Sequence, residues 1–373
     1  MKNQSKAIVK RILPGKVLSL LRKIYLIPRV ILAGLFTEMR ARRLIAYLKA
    51  THGLGNILIF LTPEHGNIGD SAIIIAEKEF FRKRFPGRTV VEVPQGLDGP
   101  VAAKLSTVHS DNFVVTVPGG GFLGNLWLPS DYVEQVYLKN FPRRKVILFP
   151  NTIFFEKKGD WEKEIEDTRR AYQAHRDLHV FIRDKSIDFM RERIVGGNFG
   201  DVRSVPDIVL SLNRSEPKFE RKGVLLCFRA DKEKVFSEEA IANLEKKLEA
   251  QGERVLRTDT VVPYGVPAEV REAEVERKFD EFRKARLVIT DRLHGMIFAT
   301  ITGTPCIALN NSSGKVEGVW SLWLQHLNYV RFVRSAEEIP VHLDEMLALG
   351  GQRYNPAVFE KYWQEIADTI KGD

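Results

Sequence analysis

Only two cysteines, Cys227 and Cys306, occur in 373 residues, and each falls in an apolar run with the character of a buried strand. A disulfide framework is therefore not expected, and a reduced compartment fits. The eight histidines are scattered through the chain, and no D-x-D stands at the end of a strand-like run, so no metal site is expected. The glycine-containing loop Thr62–Gly69 is neither a G-x-G-x-x-G fingerprint nor a P-loop, and the chain has no G-x-S-x-G elbow, which leaves covalent catalysis with little support. The chain has no uninterrupted apolar stretch of the roughly 20 residues that a membrane-spanning helix needs. Near the N-terminus, Arg22, Lys23, Pro28 and Arg29 break the run that begins at Val17, and no small-residue cleavage site marks a secretory signal. Internal repeats and low-complexity tracts are absent.

Positive charge is in excess, and it is concentrated at one end. Residues 1–50 hold twelve Lys/Arg against the single acid Glu38, a net +11 in a chain whose total is +9, so the remaining 323 residues carry −2. The globular part is therefore not a general polyanion binder, and nucleic acid is not expected as a partner. Basic and apolar residues alternate through this segment, which suits an amphipathic helix lying on an anionic membrane surface through residues 1–50. The competing reading is a helical extension that packs on the body with its basic face in solvent.

The length and 44% hydrophobic composition suit two domains. Apolar runs at Asn56–Leu61, Thr89–Val93, Asn112–Val117, Lys145–Phe149 and Val180–Ile182 predict strands. Helices are predicted over Asp70–Phe81 and Asp160–Ala174. The polar stretch Asn213–Lys222, which contains Pro217, reads as a linker. A second series begins with the strand Gly223–Phe228, followed by a helix over Ser237–Ala250, a strand at Arg254–Leu256 and a helix over Glu269–Lys284. Last come a helical tail from Val319 and a closing helix, about Pro356–Ile370, expected to return to the first domain. The boundaries are 1–52 for the basic segment, 53–215 and 220–330 for the two α/β domains, and 331–373 for the C-terminal helices.

The chain is organised around residues 285–318. The apolar run Leu287–Thr290 passes directly into Asp291-Arg292-Leu293-His294-Gly295. A helical run, the turn Gly303-Thr304-Pro305 and a second apolar run, Cys306–Leu309, then lead to a loop holding Gly314 and Lys315. This is the βαβ pattern of a parallel sheet, in which ligands sit outside the carboxyl ends of the strands. An acid, a guanidinium and an imidazole within four residues, with a lysine on the next loop, suit an anionic ligand with a proton donor beside it. Arg229 ends the strand Gly223–Phe228 as Arg292 ends its own, and two strand-end arginines can pair with a compact dianion and a carboxylate. Either arginine can instead form an ordinary salt bridge, and Asp231 is near enough to offer one to Arg229.

Further loops follow strand-like runs upstream. Thr62–Gly69 includes His65, Gly66 and Asn67 ahead of Asp70, and it presents backbone N–H groups at a helix start. Pro118-Gly119-Gly120-Gly121, running on to Asn125, allows close backbone approach. Trp127 and Tyr132 beyond it can stack on a sugar or belong to the core, with the core favoured. Arg183 and Asp184 are expected to pair with each other.

These motifs, with Val205-Pro206-Asp207 and Phe228-Arg229-Ala230-Asp231, come in the order found in the polysaccharide pyruvyl transferase family, which the chain resembles from roughly Asn56 to Gly318. The resemblance implies two Rossmann-like domains facing across a GT-B-like cleft. It further implies phosphoenolpyruvate as donor substrate, no cofactor, and a sugar diol on a polysaccharide or lipid-linked glycan as acceptor. The products are a cyclic pyruvate ketal and inorganic phosphate. Under it His294 is the general acid, a task that suits imidazole, whose unperturbed pKa is about 6.5. Arg229 and Arg292 bind the donor with Lys315 and Gly314, and Asp291 orients Arg292 or His294. His65, Asn67, Asp70, Gly119, Gly120, Gly121 and Asn125 line the acceptor side. Pro150-Asn151-Thr152 departs from the more glycine- or glutamine-like segment expected there. The basic N-terminal segment places the protein in the cytoplasm, peripheral on the inner face of the cell membrane. The alternatives are a nucleotide-sugar glycosyltransferase of the same architecture and a non-catalytic scaffold that binds anionic lipid or nucleic acid.

Overall fold

The computed structural model of the chain describes residues 34–50, 56–107, 113–195 and 202–372. It contains two parallel sheets built from strands in sequence order. The first is seven-stranded and joins β1 (Asn56–Thr62), β2 (Thr89–Pro94), β3 (Phe113–Val117), β5 (Val146–Phe154), β6 (Leu178–Ile182) and β7 (Val202–Ser204) in the order β2-β1-β3-β5-β6-β7. Its remaining strand, β4 (Gly120–Gly124), pairs with the far half of β5. The second sheet runs β12-β11-β10-β8-β9, formed by β8 (Val224–Cys227), β9 (Val255–Thr258), β10 (Leu287–Thr290), β11 (Cys306–Ala308) and β12 (Val330–Phe332). Every residue of β1, β8, β10 and β11 is buried, as expected of parallel strands covered on both faces.

Both orders reverse at one point, between β1 and β3 in the first sheet and between β8 and β10 in the second. In open parallel sheets such a switch point leaves a crevice at the carboxyl ends of the two strands. The four strand ends concerned carry Thr62–Gly69, Pro118–Gly121, Arg229–Asp231 and Asp291–His294. The strand order thus brings the main sequence motifs to two crevices.

Two expectations are corrected here. Pro118–Asn125 is not all loop, because Gly120–Gly124 forms β4. For the same reason β5 continues through Pro150-Asn151-Thr152, since β4 supplies a partner to its second half: Asn151 lies opposite Gly120, and Phe154 opposite Gly124. Pro150 falls where the pairing with β6 shifts register between Leu148 and Asn151, a place where a missing N–H does least harm. Asn213–Lys222 is not a free linker. Arg214 donates its backbone N–H to the Ile301 carbonyl, and the Arg221 guanidinium donates to Thr302 and Thr304.

One apolar cluster runs beneath both sheets. Phe80 and Phe81 of the helix Ile68–Arg84 share it with Phe279 and Phe282 of the helix Ala268–Lys284 and with Phe298. Arg271, from the second half, is buried against the first, donating to Glu92 and to the Pro63 carbonyl. The last helix, Glu360–Lys371, lies against the first sheet's side, where Arg84 donates to Gln364 and Arg203 to Thr369.

Most of the basic N-terminal segment, residues 1–33 with 51–55, lies outside the described residues. Residues 34–50 are helical. They pack on the body through buried Ala41 and Leu48 and through the ion pairs Arg40–Glu64 and Lys104–Glu38. Leu35, Phe36, Met39 and Tyr47 remain exposed on the same helix. Among the described residues, no helix is long and apolar enough to cross a membrane.

Candidate active site

The two crevices open into one cavity of about 730 Å³, lined from both sheets. His65, Asn67, Asp70, Gly119 and Gly121 line it from the first half, and Arg229, Arg292, His294 and Lys315 from the second. The halves are laced together at this point. Ile68 donates its backbone N–H to Thr260, and Val262 donates to Gly66.

His294 is the second residue of the helix Leu293–Ile301, which starts straight after β10. Its ring is buried against the start of the helix Ile68–Arg84, where Gly69 makes room: a Cβ on Gly69 would stand 2.3 Å from Nδ1 of His294. The other ring nitrogen, Nε2, lies 3.6 Å from Oδ2 of Asp207, beyond direct hydrogen-bonding distance. It is buried without a hydrogen-bond partner among the described residues. A buried polar atom left in this state on a cavity wall calls for a ligand to account for it.

Asp207 is buried and also holds Arg183, at 2.5 Å from Nη1. Burial alone would raise the Asp207 carboxyl, but the Arg183 guanidinium and the adjacent His294 ring bring it down to about 2. Arg183 and Asp184 therefore do not pair with each other. Asp184 accepts from Thr152 and Ser186 instead, while Arg183 donates its Nε to Thr152 and lines the cavity. Gly121 stands where a Cβ would be 3.2 Å from Nη2 of Arg183 and 3.7 Å from Nζ of Lys315, so the glycine loop lies directly against two cations.

Four cationic side chains from four loops thus reach one cavity, and carboxylates hold all four, Arg183 by Asp207 and the others by three further acids. Asp231 bridges the arginines, accepting from Nε of Arg229 at 2.8 Å and from Nη1 of Arg292 at 2.6 Å. Asp259 takes Nη2 of Arg292 at 2.7 Å. Glu233 takes Arg229 and both contacts of Lys315, at 2.8 and 2.9 Å. Burial pulls the Lys315 ammonium below its ordinary range, with Glu233 opposing. The strand-end arginines are therefore both cavity residues and salt-bridged ones. No hydrogen bond within the described residues engages the buried Nε of Arg292.

Four sequence candidates lie elsewhere. Asp291 sits behind the wall, where Oδ1 accepts the backbone N–H of Arg229 at 2.9 Å, so it fixes the β8 loop rather than reaching toward Arg292 or His294. Burial raises its carboxyl to about 6, against that backbone N–H. Gly314 adopts a left-handed backbone at the head of the short helix Lys315–Val319 and lies off the cavity lining. Gly120 is buried within β4. Asn125 faces a second cavity, and its amide is tied to Glu156 and Glu164. Of the two aromatics, Tyr132 belongs to the core, donating its hydroxyl to Asp98, whereas Trp127 is 44% exposed and lines both cavities.

Arg183 and Asp207 are the site residues that sequence reasoning missed. Arg183 follows a short buried strand, as Arg229 and Arg292 do, and that shared placement was the available signal. Glu77 is a third, structural, residue behind the glycine loop. Its Oε1 accepts the Gly119 N–H at 2.8 Å, and burial, against that same bond, raises its carboxyl to about 8. The folded state therefore holds a proton here that the unfolded state releases above about pH 4.5. The stability this proton confers is complete below that value and is lost as pH rises through about 8. Glu77→Gln is expected to remove this slope. Thermal melts should show the variant matching the parent near pH 5 and exceeding it near pH 9, and equal melting at both values would refute the assignment.

Among the described residues, no group of His, Cys, Asp or Glu could hold a metal ion. A solved structure of a functionally uncharacterized protein, KP1_0663, from Klebsiella pneumoniae subsp. pneumoniae NTUH-K2044 shares the fold. Its TM-score is 0.50 at 20% identity, over 78% of this chain and 96% of that one. General stress protein 30 of Bacillus subtilis (strain 168) is 32% identical over 78% of this chain and 85% of its own length. Pyruvyl transferase 1 of Schizosaccharomyces pombe (strain 972 / ATCC 24843) is 26% identical over 73% and 70%. The family model for polysaccharide pyruvyl transferase matches residues 67–313, a span that starts in the loop beside His294 and ends two residues before Lys315. The chain accordingly belongs to the polysaccharide pyruvyl transferase family and is a transferase enzyme.

Proposed function

We propose that the protein transfers the pyruvyl carbons of phosphoenolpyruvate onto two hydroxyls of one sugar residue in a polysaccharide or lipid-linked glycan. The product is a pyruvate ketal, and inorganic phosphate is released. The observation that carries this reading is the unpartnered Nε2 of His294 on a cavity wall beside Arg183, Arg229, Arg292 and Lys315. A phosphate ester and a carboxylate on one carbon need several cations, and the methylene carbon beside it needs an acid.

His294 donates its proton to the methylene carbon of the donor, which makes the adjacent carbon electrophilic. An acceptor hydroxyl oxygen bonds to that carbon, the carbon–phosphate oxygen bond breaks, and the second hydroxyl closes the ring. Of the two protons the acceptor loses, one restores His294 after its transfer to the methyl group, and the other leaves on phosphate. The arginines and Lys315 bind the departing dianion and the carboxylate by sharing donors with Asp231, Glu233 and Asp259. On the facing wall Asn67 donates to Asp70 at 2.8 Å, and His65 lies 3.8 Å from the same carboxylate. These three suit the acceptor hydroxyls, with the first sheet serving as acceptor domain and the second as donor domain. The exposed Leu35, Phe36 and Met39 beside Arg40, Arg42 and Arg43 fit a helix resting on an anionic membrane at the cytoplasmic face.

The test is phosphate release from phosphoenolpyruvate by the full chain, with and without a panel of galactoside, mannoside and glucosamine acceptors, with products read by mass spectrometry. Acceptor-dependent release with a pyruvate ketal product is expected. His294→Ala should lower kcat by roughly 10²- to 10⁴-fold. A product without a ketal, or full turnover in His294→Ala, would overturn the proposal.

A further inference from the structure

Beyond the catalytic cavity lies the second one, of about 470 Å³, within the range of small-ligand sites, about 300–1,000 Å³. Trp127 and Leu128 line both, so the two spaces meet at an exposed indole. The wall past Trp127 is polar and acidic: Ser130, Asp131, Glu164 and Asp167 face it. Asn125 is fixed there by the Glu156 N–H at 2.6 Å and by Glu164 at 2.6 Å, so the floor of the cavity is preset.

We propose that this cavity is a second sugar subsite, which takes the residue next to the one that receives the ketal. The proposal rests on the reading that the main cavity binds a sugar acceptor. An aromatic face at the junction stacks on the apolar side of a pyranose ring. Carboxylates around the rim accept hydrogen bonds from its hydroxyls, and these charge-assisted bonds are the stronger kind. The same carboxylates repel a uronate, so the subsite takes a neutral sugar and discriminates against an acidic one. At present Nζ of Lys232 covers one face of the indole, 4.2 Å from the ring centroid. Lys232 is exposed, and contacts of this kind at exposed sites are weak, so a stacked ring displaces it. Lys232 follows Arg229 on the same loop, which places the indole next to the donor side as well.

The experiment uses the full chain carrying His294→Ala, so that nothing turns over. Saturation-transfer NMR is recorded with cellobiose, lactose, mannobiose and chitobiose, with their component monosaccharides, and with digalacturonate. At least one neutral disaccharide should bind through both rings and more tightly than its monosaccharide. Trp127→Ala should weaken that disaccharide about ten-fold, the loss of one anchoring aromatic, without changing the monosaccharide. Trp127→Phe should restore most of the affinity, and digalacturonate should bind worst. The subsite is overturned by disaccharides that bind no better than monosaccharides, by no response to Trp127→Ala, by preference for digalacturonate, or by no neutral sugar binding at all. Phosphate release by the parent chain separates the two claims. Trp127-dependent binding without phosphoenolpyruvate turnover removes the donor assignment and keeps the subsite, whereas turnover without Trp127 dependence does the reverse.

Discussion

Gly69→Ala is expected to lower kcat by about 10²-fold, the cost of misplacing a reacting group by roughly 1 Å. On helix propensity alone the change should help, because Gly69 is the second residue of a long helix and alanine is favoured over glycine by about 1 kcal/mol. Tertiary contact decides the sign. The added Cβ would lie 2.3 Å from Nδ1, 2.6 Å from Cγ and 3.0 Å from Cβ of His294. Since the histidine Cβ is itself within reach, ring rotation does not relieve the contact, and the helix or His294 must shift. Overpacking of this sort costs about 1–3 kcal/mol, so the folded protein should survive with a modestly lower melting temperature. The control is Gly69→Ala combined with His294→Ala. Removing the ring removes the collision, so the double variant should be at least as stable as His294→Ala alone, and the two changes should be strongly non-additive. An unchanged kcat in Gly69→Ala would show that His294 is not held by this contact.

That pair also shows what the sequence could and could not disclose. Leu287–Thr290 was legible as a strand to the residue, because Leu287, Val288, Ile289 and the β-branched Thr290 run straight into Asp291-Arg292 with nothing to blur the edge. The strand-end rule then brought Arg229 and Arg292 to one crevice, where the structure has them bridged by Asp231. Gly69 was legible only as a turn glycine, since its actual neighbour is 225 positions further along. Adjacent opposite charges suggest a local pair between Arg183 and Asp184. Asp207 wins instead, for it is brought to the guanidinium by the turn that follows β7, and Asp184 is taken up by Thr152 and Ser186. β4 escaped notice because a strand of Gly-Gly-Phe-Leu-Gly has neither alternation nor branched residues, and only its pairing with β5 makes it one. Asn125 is close in sequence to the glycine run, which suggests that it lines the acceptor side. The left-handed turn at Gly124 instead sends it into the neighbouring cavity.

Asp207→Asn is expected to lower stability by about 3–5 kcal/mol, because it leaves the Arg183 guanidinium buried without a counter-charge. The proton-linked part of this is smaller. Lowering the carboxyl from 3.8 to about 2 corresponds to about 2 kcal/mol. The unfolded chain binds the proton more readily in that interval, so the contribution is complete above pH 4 or so and is lost as pH falls toward about 2. The urea midpoint should therefore fall at neutral pH with an unchanged m value, and the variant's acid limb should be flatter than the parent's. Stability and chemistry can then be separated with Asp207→Asn combined with Arg183→Met. Replacing both members of a buried pair is often close to neutral, so the double variant should recover most of the midpoint. It should not recover turnover, because the carboxylate 3.6 Å from Nε2 of His294 and one of the four cations of the cavity are both gone. If the double variant regains activity along with its midpoint, Asp207 and Arg183 serve only to hold the fold, and the cationic site reduces to Arg229, Arg292 and Lys315.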